Sequence, residues 1–102
     1  MNNQLQIELK EDVAQGTYAN LAVITHSSSE FIVDFVRVMP GMPKASVKSR
    51  IVLAPEHAKR LLRALEENIG KYERTFGSIR LLDEQSIPPM TNLKGEDRKS
   101  VV

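Results

Sequence analysis

Cysteine is absent from this 102-residue chain. That excludes disulfides and thiolate metal ligands, and nothing points to an oxidising compartment. No apolar run approaches the roughly 20 residues needed to span a bilayer. The opening MNNQLQIELKED has neither the basic nor the apolar region of a secretory signal. The expectation is a cytoplasmic protein that does not engage a membrane. Aromatic residues are few, at 5%. They are Tyr18, Phe31, Phe35, Tyr72 and Phe76, and with the phenylalanines assigned to a core they leave no stacking platform for single-stranded nucleic acid. Only two histidines occur, without H-x-x-x-H or E-x-x-H spacing, so a four-ligand metal site is not expected. Neither G-x-x-x-x-G-K-[ST] nor G-x-G-x-x-G is present, so no nucleotide cradle and no cofactor is expected.

What remains is enough for one folded unit. The length is that of a single domain, and the apolar share of 41% supports a core. Residues 4–10, QLQIELK, alternate Leu5, Ile7 and Leu9 with polar neighbours, the pattern of a half-buried strand. Residues 18–25, 31–38 and 45–53 read as three more strands. The second of these is rich in β-branched and aromatic residues, and PGMP at 40–43 breaks it. Connections of about four to six residues suit antiparallel hairpins. The period then changes. Pro55 fits a first helical position and Glu56 the first turn. Ala58, Leu61, Leu62, Leu65, Ile69 and Tyr72 form one apolar stripe, and three i,i+4 ion pairs are expected on the outer face: Glu56 with Arg60, Arg63 with Glu67, and Glu67 with Lys71. Residues 83–102, with two prolines and mixed charges, read as a flexible C-terminal tail. Its apolar Ile87-Pro-Pro-Met90 is a candidate peptide for docking onto a partner.

The class expected is α+β: an antiparallel sheet of three to four strands followed by one long amphipathic helix, in a domain over residues 1–82. Two strands are apolar on both faces. Phe31, Val33 and Phe35 oppose Ile32, Val36 and Val38; Leu21 and Val23 oppose Ala22 and Ile24. One helix covers one face only, so a second copy of the chain is expected on the other. The competing reading lets the first strand or the tail cover it.

Charge is unevenly placed. Residues 37–63 hold seven basic residues against Glu56 alone, a local charge of +6 within a chain of net charge +1. Lys44, Lys48, Arg50, Lys59, Arg60 and Arg63 are the candidate phosphate- or nucleic-acid-binding residues, provided that the fold brings them to one surface. No helix-turn-helix, zinc-finger or ribonucleoprotein signature accompanies them.

The stretch THSSSEFIVDFVRV, residues 25–38, places His26, three serines and Asp34 close together. Serines and glutamate are ordinary turn residues, there is no G-x-S-x-G elbow, and Asp34 is expected to pair with a cation, Arg50 across the sheet. Catalysis at this hairpin meets little of what a nucleophile requires. No catalytic, cofactor or metal residue is therefore assigned.

Residues 16–76 as a whole resemble a family of short bacterial proteins, domain of unknown function 3467. The resemblance rests on Tyr18-Ala19-Asn20, on the His26 to Glu30-Phe31 turn leading into Asp34-Phe35, and on the helix with Pro55, His57-Ala58, Leu61-Leu62, Leu65 and Asn68-Ile69. It implies a small bacterial module and no activity. The expectation is a non-enzymatic, homo-oligomeric binding module with an unknown protein partner; the alternative is a nucleic-acid-binding accessory protein using the basic block.

Overall fold

A computed structural model of the chain describes residues 4–81 and 99–102. The elements run α1 (Glu11–Ala14), β1 (Leu21–His26), β2 (Phe31–Arg37), β3 (Ser46–Leu53), α2 (Pro55–Phe76) and β4 (Ser100–Val101). The four strands form one antiparallel sheet in the order β3-β2-β1-β4. The expected class, an antiparallel sheet followed by one long helix, is the one observed.

The strands are those whose residues find neighbours. In β2, every side chain lies opposite a residue of β1, β3 or both. The turn before it closes as a short loop, where Ser27 N–H donates to the Glu30 carbonyl at 2.9 Å and Ser29 N–H to the Ser27 hydroxyl at 3.2 Å. After β2, Met42 N–H donates to the Met39 carbonyl at 3.2 Å, and Gly41 between them has φ of 81°. Only glycine takes that value without strain, and Pro40 presets the position before it. Asn20 extends the β1–β2 ladder with its side chain. Its amide donates to the Val38 carbonyl at 2.9 Å, and its carbonyl oxygen accepts from Val38 N–H at 2.8 Å.

Helix α2 starts where Pro55 has no N–H to lose. Ala54, extended as residues before proline usually are, accepts the first helical bond from Ala58 N–H at 2.9 Å. The helix runs unbroken through Gly70. The stop is Gly77, with φ of 98° and its N–H donating to the Glu73 carbonyl.

Two segments depart from expectation. Residues 4–10 belong to no strand, and Leu5 and Ile7 are 85% and 88% exposed. Alternation marks an apolar side but does not supply a neighbouring strand to bond to. The fourth strand is instead Ser100–Val101, where Ala22 N–H donates to the Val102 carbonyl at 2.6 Å and Val102 N–H to the Ala22 carbonyl at 2.8 Å. The chain end assigned to a flexible tail thus closes the sheet beside β1. The proposed docking peptide at 87–90 lies outside the described residues.

Cross-strand partners share a face, which settles the two sides of the sheet. Ala22, Ile24, His26, Phe31, Val33, Phe35, Ser49, Ile51 and Leu53 form one face; Leu21, Val23, Thr25, Ile32, Asp34, Val36, Val47, Arg50, Val52 and Val101 form the other. The first half of α2 lies over the former. Between them is an open apolar cleft of about 300 Å³, lined by Ile24, Phe31, Val33 and Leu53 of the sheet and Ala58, Leu61, Leu62 and Leu65 of the helix. Among the described residues Val36, at 5% exposure, is the sole buried apolar side chain. It sits on the central strand between Leu21 and Val47.

Candidate functional site

The basic residues line two separate depressions, and Arg50 lines neither. Arg50 and Asp34 are direct partners across β2 and β3. The guanidinium grips the carboxylate with two hydrogen bonds, Nε to Oδ1 at 2.6 Å and Nη2 to Oδ2 at 2.9 Å. Such a bidentate pair is geometrically specific and strong for its kind. Asp34 is only 8% exposed, so its charge needs the partner. The hydrogen bond from Arg50 holds the Asp34 carboxyl below the ordinary aspartate range, against the opposing effect of desolvation. Asp34 in turn raises the affinity of Arg50 for its proton. The pairing expected across the sheet is therefore present, and it commits Arg50 to a carboxylate of its own chain.

Lys48 is separated from Arg50 by an irregularity. Phe35 pairs with Ser49 and Val36 with Val47, which leaves Lys48 as an extra residue in β3. This is a bulge, and it breaks the alternation that would have put Lys48 and Arg50 on one face. Lys48 instead lines a groove of about 90 Å³ with Arg37, Met39, Met42, Lys44 and Ser46. Arg37, Lys44 and Lys48 have no carboxylate partner among the described residues. Lys59, Arg60 and Arg63 form a second group, on the outer side of α2 with Pro55 and Glu56. Arg60 pairs there with Glu56. Lys71 and Glu67 pair at 3.3 Å as expected; the pair expected between Arg63 and Glu67 is not formed. The six candidate residues thus fall into Lys44 with Lys48, Lys59 with Arg60 and Arg63, and an engaged Arg50.

The hairpin chemistry does not assemble either. His26 packs on Phe31, ring centroids 5.4 Å apart, and both belong to the face toward α2. Asp34 is on the opposite face and occupied by Arg50. Ser27 and Ser29 bond each other within the turn. His57 is exposed in the first turn of α2. Among the described residues no group of three or more metal-ligating side chains comes together, and no helix is long and apolar enough to cross a membrane.

The feature that stands out is apolar surface. Beyond the cleft, the α2 stripe continues through Ile69 and Tyr72 to Phe76, which is 73% exposed. The rings of Tyr72 and Phe76 pack against each other at 4.9 Å. Further along the same sheet face, Phe35 and Ile51 line an open depression with Thr17, Ala19 and Ser49. Periodicity located the stripe but could not tell whether it was covered by the chain's own sheet. Asn20, the side chain that ties β1 to the end of β2, was singled out only through the family resemblance; an asparagine next to a strand has no signature that separates a ladder tie from a turn.

Comparison with known families gives one match: the family described as protein of unknown function (DUF3467), over residues 1–81. The chain belongs to this family. No curated protein and no solved structure matches.

Proposed function

We propose that this DUF3467 member is a non-enzymatic interaction module that works as a homo-oligomer and presents its remaining surface to a protein partner. The observation that carries the reading is the imbalance between buried and exposed apolar side chains. One is buried among the described residues, whereas Leu61, Leu62, Leu65, Ile69, Tyr72, Phe76, Phe35 and Ile51 are all exposed. Contiguous apolar surface of this extent marks an association site in a folded protein. A cytoplasmic setting belongs to the same reading, since a chain without cysteine is at home in a reducing compartment; a bacterial one rests on the family resemblance alone. Light scattering coupled to size exclusion tests the assembly: a mass above 11.5 kDa supports it, and a folded monomer at all concentrations rejects it.

The second reading, binding to a phosphate polymer, is favoured by one observation. Arg37, Lys44 and Lys48 converge on one groove without a carboxylate partner among the described residues. Fluorescence anisotropy with labelled duplex and single strands across a salt series tests it. A steep log–log slope counts the phosphates neutralised; no binding at low salt removes the reading.

A further inference from the structure

Helix α2 has two halves with different surroundings. Ala58, Leu61, Leu62 and Leu65 line the cleft over the sheet. Ile69, Tyr72 and Phe76 continue the same stripe but line no part of it and are exposed. A 22-residue helix is roughly 33 Å long, so the second half carries its apolar side past the cleft.

The two halves also differ in charge. Residues 55–65 hold Lys59, Arg60 and Arg63 against Glu56, a charge of +2; residues 66–76 hold Lys71 and Arg74 against Glu66, Glu67 and Glu73, a charge of −1. A helix with this pattern complements a second copy of itself running the other way. Antiparallel apposition sets the basic half against the acidic half and aligns the helix dipoles favourably. Parallel apposition would set basic against basic. It would also bring two sheets side by side, because only Ala54 separates β3 from α2.

Resting on the homo-oligomeric reading above, we propose that two copies associate through antiparallel α2 helices, the second half of each seated against the cleft of the other. The contact is isologous, so it closes as a dimer. Tyr72 and Phe76 of one copy then meet Ile24, Phe31, Val33 and Leu53 of its partner. Leu61, Leu62, Leu65, Ile69, Tyr72 and Phe76 are each at least 39% exposed, a continuous apolar stripe of the kind that forms the core of an interface between protomers. Of the competing routes to a dimer, pairing along the free edge of β3 is obstructed by the bulge at Lys48 and by the charges of Lys48 and Arg50, devices that keep edges from pairing, and the sheet face opposite α2, where the sequence leads us to expect the second copy, carries the two most buried residues described, Val36 and Asp34.

The absence of native cysteine makes single-cysteine labelling unambiguous. Protein carrying Glu56→Cys and protein carrying Arg74→Cys are spin-labelled, measured separately and then mixed, with pulsed dipolar spectroscopy giving the distances. Antiparallel helices predict a short Glu56-to-Arg74 distance in the mixture. They also predict Glu56-to-Glu56 and Arg74-to-Arg74 distances longer than it, reflecting an axial offset of roughly 27 Å. A dimer with a short Glu56-to-Glu56 distance, or with all three distances long, overturns the antiparallel arrangement and leaves the homo-oligomeric reading intact. A monomer by light scattering overturns both.

Discussion

Strand β2 and helix α2 are both two-sided in sequence, yet the protein treats them in opposite ways. Every side chain of β2 has a cross-strand neighbour, and it contains the two most buried residues described, Val36 and Asp34. Most of the α2 stripe is bare, although its periodicity is as regular. Burial inside one chain follows from topology: an interior strand between two antiparallel partners is enclosed by them, whereas a helix joined to the sheet by a single residue is fixed at one end only. The contrast separates what the chain stabilises alone from what it leaves for a second molecule.

That contrast can be broken most severely at the helix. Tyr72→Asp places a charge in the bare stripe, at a residue that does not line the cleft of its own sheet. The expected result is a dissociation constant for self-association raised at least about 100-fold, on the order of 2.7 kcal/mol, read as a fall in mass at fixed concentration. Val36→Ala acts on the other side of the comparison. It opens a cavity inside one protomer and should lower unfolding stability by about 2 kcal/mol in urea titration, with the residual assembly contacts unchanged.

Asp34 and Arg50 sharpen the comparison through pH. The Asp34 carboxyl titrates below its unfolded value of 3.8, so the unfolded chain takes up its proton first as pH falls. The stabilisation is complete above about pH 4, declines below it, and is lost once pH has passed the depressed folded value. Stability measured from pH 7 to pH 2 should show this decline, and Asp34→Asn should abolish that component. Asn20→Ala removes both side-chain bonds to Val38 and should cost about 1–2 kcal/mol, read in thermal unfolding. The smallest effect is expected at Gly70. A Cβ there meets only the Arg74 guanidinium, at 3.5 Å, an ordinary contact. Gly70→Ala should therefore stabilise the helix by about 0.5–1 kcal/mol without altering the assembled mass.

The sequence was most informative where a local rule and a neighbour agree. PGMP, the Ser27–Glu30 turn, the opposed faces of β1 and β2, the start of α2 and the Asp34–Arg50 pair were all readable, because turn chemistry, alternation and charge each admitted few arrangements. Residues 4–10 alternate as well as β1 does and still form no strand; pattern does not reveal which edges of a sheet are free. Ser100–Val101 is a strand of two residues, too short for any periodicity. The candidate site suffered most from the bulge. One extra residue at Lys48 undid the alignment with Arg50, and no composition rule marks such an insertion in SVKSRIVL. The bareness of α2 was equally hidden, since a stripe records what a helix buries and not whether its own chain buries it.

The most direct test of the account is the molar mass of the intact protein by light scattering over a hundredfold concentration range, with circular dichroism confirming a folded sheet and helix. The account predicts a folded species of twice the 11.5 kDa of one chain, dissociating only on dilution. A folded species of 11.5 kDa throughout would contradict it, because the α2 stripe would then be stable in water without a partner.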